Sequence, residues 1–96
     1  MEREKASVTT ASGLLQNYPN PFNPATSIRY TISRNSLVTV IIYDAVGREV
    51  VLLVHREQGP GSYSVIWDAH ASSSGVYLCR LQAEGRTWEK RIVCVK

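Results

Sequence analysis

Three prolines within six residues, in Asn17-Tyr18-Pro19-Asn20-Pro21-Phe22-Asn23-Pro24, constrain the fold of this 96-residue chain more than any other feature. They remove three backbone donors and hold three φ angles near about −65°, so the segment is neither a helix nor a paired central strand. The residues ahead of them, Tyr18, Asn20 and Asn23, are pushed out of the α region towards extended geometry. Their neighbouring Asn side chains suit backbone groups that no ladder satisfies. The consequence is a stiff arm. Tyr18, Pro19, Pro21, Phe22 and Pro24 are expected to form a clasp laid across one end of a domain that begins near Thr26, with Tyr18 and Phe22 as aromatic anchors that lose little entropy on docking. Pro21-Phe22-Asn23-Pro24 also fits the P-x-x-P pattern of a polyproline ligand. The structural arm is favoured because the segment runs straight into a strand-like stretch.

Downstream the periodicity is two throughout. Residues 26–33 alternate, with Ile28, Tyr30 and Ile32 on one face. Residues 37–43 are β-branched and apolar on both faces, as inside a sandwich. Asp44-Ala45-Val46-Gly47 reads as a type I turn closed by a glycine, leading into a strand over residues 48–54. Residues 55–61, ending in Gly59-Pro60-Gly61, read as loop. Residues 62–68 place Tyr63, Val65 and Trp67 on a core face, and a polar loop over 69–75 follows. In residues 76–83 the register with Tyr77, Cys79 and Leu81 inward is preferred, because the other would bury Arg80. Glu84-Gly85-Arg86 turns the chain into a last strand over 87–95. With a short pairing at 14–17 this makes about seven strands and no helix-period stretch. The expected fold is all-β, an immunoglobulin-like seven-stranded antiparallel β-sandwich.

Little here points to chemistry. His55 and His70 fall in expected loops and Cys79 and Cys94 in expected strands, none with metal-ligand spacing. Asp44 and Asp68 follow strand ends and read as turn-starting residues. No nucleophile elbow or glycine-rich loop before a helix is present, so no enzymatic activity and no cofactor are expected. Cys79 and Cys94, on strands hinged near Gly85, are read as two buried thiols, with a cross-strand disulfide as the alternative. An accessory carbohydrate- or protein-binding module is the alternative function; for sugar, Trp88 is the sole candidate for an exposed platform, since Trp67 alternates with core residues. Residues 1–13 lack the apolar segment of a secretory signal and read as a flexible linker or an artificial boundary, with no export signal of their own. No apolar run is long enough to span a bilayer, so no membrane insertion is expected.

Charge is placed unevenly. Basic and acidic residues balance through Gly85, and from Arg86 onward Arg86, Lys90, Arg91 and Lys96 stand against Glu89 alone, which accounts for the whole net charge of +3. Four basic residues spread along one strand are too weak a footprint for nucleic acid, which is not expected as a partner.

Taken in order, Leu15-Gln16-Asn17-Tyr18-Pro19-Asn20-Pro21-Phe22-Asn23-Pro24, Ile28-Arg29-Tyr30, Tyr43-Asp44, Gly47-Arg48-Glu49-Val50, Trp67-Asp68-Ala69, Ser74-Gly75-Val76-Tyr77, Arg80-Leu81 and Lys90-Arg91-Ile92-Val93 resemble the type IX secretion C-terminal sorting domain. The family is related to the immunoglobulin-like domain of the flagellar hook-capping protein. The resemblance covers residues 14–96, and its proline string is highly specific. Ile41, Ile66, Cys79 and Cys94 depart from the family's usual choices. The resemblance implies a non-catalytic module of a larger secreted protein of the Bacteroidetes and relatives. The N-terminal cargo, covalently linked, would typically be a hydrolase. It would cross the inner membrane on the cargo's own signal peptide, reach the cell surface or exterior via the periplasm, and meet the outer-membrane secretion machinery and a sortase-like peptidase. In isolation the domain is expected to be a monomer. Arg86, Lys90, Arg91 and Lys96 are the residues expected to be read by the translocon, on an edge strand; the alternative is a solvated face whose charges prevent self-pairing.

Overall fold

The structure, a computed structural model, describes residues 12–96. Seven strands follow one another: β1 (Gly13–Tyr18), β2 (Ala25–Ile32), β3 (Ser36–Tyr43), β4 (Glu49–Gln58), β5 (Gly61–Asp68), β6 (Gly75–Ala83) and β7 (Arg86–Cys94). They form two antiparallel sheets, β1-β2-β5 and β4-β3-β6-β7. The chain is therefore the all-β, seven-stranded sandwich that its period-two patterning implies. The linker expected over residues 1–13 lies almost wholly outside the described residues; Gly13 opens β1.

The core lies between the sheets and follows the alternation of each strand. Ile28, Tyr30 and Ile32 of β2 meet Val38, Val40 and Ile42 of β3, with Tyr77, Cys79 and Leu81 of β6 and Ile92 and Cys94 of β7 alongside. The β6 register is the expected one. It sends Arg80 outwards, where its guanidinium lies over the Tyr43 ring at 4.6 Å and its Nε donates to Glu89 at 2.8 Å. Tyr63 and Val65, expected in the core beside Trp67, are only partly buried. Their strand, β5, is the edge of the smaller sheet, so one flank of each side chain faces the rim.

Turn chemistry shapes the connections. Asp44 Oδ1 accepts the N–H groups of Val46 and Arg48 at 3.0 and 2.9 Å, and Gly47 takes a φ of +89° that a side chain would resist. Asp68 Oδ1 accepts from His70 N at 2.9 Å, which makes it the turn-starting residue expected. The loop read over residues 55–61 is mostly strand: β4 continues through Gln58, leaving Gly59 and Pro60 as the turn. His55 thus sits on a strand, with Thr39 Oγ1 at 3.2 Å from its Nδ1. The stretch HREQ reads as loop because it lacks apolar residues, yet an edge strand facing solvent needs few.

Candidate recognition surface

The arm docks on β7. Phe22 is 2% exposed, its ring 5.3 Å from that of Trp67, which meets Tyr77 edge-on at 5.1 Å. Its backbone forms a one-residue parallel bridge to the last strand: Phe22 N–H donates to Val93 O at 3.0 Å, and Val95 N–H donates to Phe22 O at 2.9 Å. Asn20 Oδ1 accepts from Val93 N–H at 3.1 Å, and Ala69 N–H donates to Pro24 O at 2.8 Å. The three prolines thus stand among backbone groups that pair with β7 and the β5–β6 loop in place of a ladder of their own. With Phe22 buried, Pro21-Phe22-Asn23-Pro24 is not presented as a polyproline ligand.

Tyr18 corrects the expectation of two anchors. It is 75% exposed. Asn17 and Tyr18 belong to β1, paired with Ile28 and Ser27, and alternation sends one side chain in and the next out. Asn17 takes the inward place. Its Nδ2 donates to Thr26 Oγ1 at 3.2 Å, and Thr26 Oγ1 donates to Pro19 O at 2.8 Å, which fixes the start of the arm. Asn17 was the inward-facing residue that sequence reasoning missed. Its signal was parity with Ile28, visible only once the β1–β2 register is known.

The four basic residues of the last segment are not brought together. β7 is the edge of the four-stranded sheet, as expected, and Arg86 starts it, with its guanidinium 4.9 Å from the centre of the Trp88 ring. Trp88 is half-buried, and a Cβ on Gly13 would come within 3.0 Å of its Nε1, so this indole is covered on one side and stacked by Arg86. It is not an open platform. Lys90 is half-buried on the inward side of the strand, and Arg91 points out. Lys96 is turned back on the β5–β6 loop: its Nζ donates to His70 O at 2.7 Å and to Ser72 O, and its N–H donates to Ser74 Oγ at 3.0 Å. Arg91 lines a groove of about 410 Å³ with Tyr43, Val76, Leu78 and Arg80, and Arg86 lines a separate one of about 410 Å³ with Leu37, Thr39 and Gln82.

At the opposite end, Glu84 gathers the start of the described chain. Its carboxylate accepts from Ser33 N–H at 2.7 Å and from the Ser12 hydroxyl at 2.9 Å. The Ser33 amide, with smaller contributions from the Ser12 and Ser33 hydroxyls, holds its carboxyl below the ordinary glutamate value. Glu84 itself takes a φ of +57°, a left-handed conformation uncommon for a residue with a side chain, and Gly85 follows it at +70°. Neither Glu84 nor Ser12 stands out in the sequence, because the contact spans 72 residues and depends on how the two sheets face each other.

The cysteines are settled by register. Cys79 pairs with Lys90, and Cys94 with Gly75, so they stand four residues apart along the strands, roughly 13 Å. No disulfide bridges that distance. Both thiols are buried and free, and burial pushes Cys79 up to about 12.

These features define a β-sandwich whose N-terminal arm and C-terminal strand form one joint surface and whose polar groups serve turns and caps. The chain belongs to the family of secretion system C-terminal sorting domains, whose model matches residues 16–96. This family is a non-catalytic sorting signal for type IX secretion and marks its carrier as secreted or displayed at the cell surface. No curated protein and no solved structure matches the chain.

Proposed function

We propose that this domain sorts a larger protein, a hydrolase carried on its N-terminal side, across the periplasm and through the outer-membrane machinery, and that β7 with the docked arm is the surface read there. The observation that carries this reading is the bridge from Phe22 to Val93 and Val95. It makes the proline string and the basic last strand one element, so a receptor touching either senses both. Arg91 is the most available of the basic residues on that element, and Lys90, its neighbour in the chain, is half-buried on the opposite face of the strand. Arg86 and Lys96 serve their own neighbours first, the Trp88 ring and the β5–β6 loop carbonyls. The sortase-like peptidase would act on the N-terminal side of β1; a cut ahead of Ser12 leaves every bond described above in place.

The test is a reporter bearing an export signal and this domain, expressed in a type IX-competent host. Arg91→Glu with Lys90→Glu is expected to leave the domain folded and strand the reporter in the periplasm, whereas Lys96→Glu is expected to have the smaller effect on delivery. Arg91 is exposed, so reversing its charge alters stability by only about 0.5 kcal/mol, whereas Lys90 is half-buried, so the double mutant's fold is checked by circular dichroism before delivery is scored. Normal surface delivery of the Lys90/Arg91 double mutant would place the signal elsewhere, on the sandwich body or the arm.

A further inference from the structure

The sandwich has four strand edges, and three of them are protected. β1 carries a bulge between Leu14 and Gln16 and ends against Pro19. β4 is irregular at two points and carries Glu49, His55, Arg56 and Glu57. β7 carries Lys and Arg side chains and is closed by the arm at Val93. Bulges, charges, prolines and covers are the devices that keep an edge from pairing. Among the described residues, β5 has none of them between Gly61 and Trp67. It pairs with β2 over eight consecutive positions without a shift, contains no proline or basic residue, and has its only charge, Asp68, at its end. Among the described residues, no backbone group of β5 is bonded to anything beyond β2.

The sheets are also unequal, three strands facing four. β1 lies against β7 on one flank, so the place for a fourth strand that the described residues leave open in the smaller sheet lies beside β5, over the inward side of β4. The apolar side chains there, Val51, Leu53 and Val65, remain only partly buried. On the outer side, Ile66 is 67% exposed.

We infer that β5 is an acceptor edge for an extended, acidic peptide strand, which adds to the β1-β2-β5 sheet and completes a four-on-four sandwich. Backbone pairing supplies the affinity, and alternate side chains supply the selectivity. Inward-facing residues of the incoming strand are β-branched or aliphatic, to cover Val51, Leu53 and Val65. Its charge is acidic because two arginines flank the place. Arg29 lines a groove of about 390 Å³ with Ser62 and Ser64 on the outer side and has no ion-pair partner among the described residues. Arg56 pairs in register with inward-facing Val38 and so stands on the seam side, with its head exposed. A second copy of this chain is a poor occupant: two smaller sheets joined at β5 would force their wider partner sheets into each other.

This surface lies across the molecule from β7, and its test needs no secretion host, so it stands or falls apart from the sorting reading. The domain would be titrated by amide NMR with a short peptide of alternating valine and threonine carrying a central glutamate. Shifts are expected at Ser62, Ser64 and Ile66, with chain-end and β7 amides unmoved. Arg29→Glu should weaken binding about tenfold, and a peptide with lysine in place of the glutamate should then bind this variant better than it binds the parent. Ile66→Lys, a charge on the open edge of an otherwise unchanged domain, should also weaken it. Unmoved β5 amides at millimolar peptide, shifts centred on β4 or β7, or equal affinity of both peptides for the parent would each overturn the inference, as would concentration-dependent β5 shifts without peptide.

Discussion

Phe22 and Tyr18 lie four residues apart in the same proline-rich segment, yet their environments are opposite, and that difference is measurable. Phe22 fills a socket over Trp67, so Phe22→Ala removes a buried aromatic ring and is expected to cost about 3 to 5 kcal/mol in urea unfolding. Tyr18→Ala, on the exposed side of β1, should stay within about 0.5 kcal/mol. Equal losses would mean that the arm is held in some other way. Glu84 and Asp44 supply a pH signature. Both carboxyls are held below their ordinary values of 4.5 and 3.8, chiefly by the backbone N–H of Ser33 in the first case and of Arg48 in the second. A group whose folded pKa is depressed contributes stability that is fully present above its unfolded value and is lost as pH falls through the folded one. Stability should therefore be flat from neutrality to about pH 5 for these groups and then decline. Glu84→Gln should lower stability near neutrality and flatten that acid decline. The two thiols complete the residue scale: a thiol reagent at pH 8 should label neither Cys79 nor Cys94 in the native chain and both after unfolding without reductant. A single label, or none, in the unfolded chain would contradict their being free.

At the scale of elements, what was legible in the sequence depended on whether a strand's partner could be guessed. β2, β5 and β6 alternate strongly enough to give their faces and nearly their ends, with the inward set of β6 following from keeping Arg80 out of the core, whereas β3, apolar on both faces, shows its extent but not that Val38, Val40 and Ile42 are its inward set. β4 was cut short because His55-Arg56-Glu57-Gln58 carries no apolar signal, although Gln58 accepts a 2.7 Å hydrogen bond from Tyr30 and thereby extends the strand's inward side. The prolines mark the arm as an arm, but that Phe22 is an anchor and Tyr18 is not depends on the β1 register, and the offset of the two cysteines depends on that of β6 and β7. The β6–β7 register follows from where the two-residue Glu84-Gly85 turn falls, and each residue by which that turn is misplaced shifts the pairing by two, while β1 and β2 are joined by the arm, which is no tight turn. The arm's own bonding gives an element-scale prediction. Because Phe22 N–H and Val95 N–H are donors in the same bridge, their amide exchange should be protected to a similar degree, and Phe22→Ala should release both while leaving β3 and β6 amides protected. Loss of protection spread evenly over the sandwich would mean that the arm and the core are one cooperative unit.

For the whole molecule, the N-terminal segment from Ser12 to Pro24 joins the two sheets at both ends of one flank. Ser12 reaches Glu84 in the β6–β7 turn, Gly13 packs on Trp88, and Phe22 bridges to Val93 and Val95, whereas the β1 backbone itself pairs with β2 in the opposite sheet. On the other flank the sheets are linked through the short turn at Gly59 and Pro60, where Tyr63 donates its hydroxyl to Gly59 O at 2.7 Å. A domain of this size has only about 5 to 15 kcal/mol in hand. Removing residues through Pro24 would empty the Phe22 socket, which alone accounts for a few kcal/mol, and would expose both the β2 edge and the β7 edge. A chain of residues 12–96 is therefore expected to unfold cooperatively on heating, with the far-ultraviolet circular dichroism of an all-β protein. A chain of residues 25–96 should lose that cooperative transition or aggregate through its two uncovered edges. If 25–96 melts as sharply and as high as 12–96, the flank is closed by the sandwich alone, and the arm adds no stability.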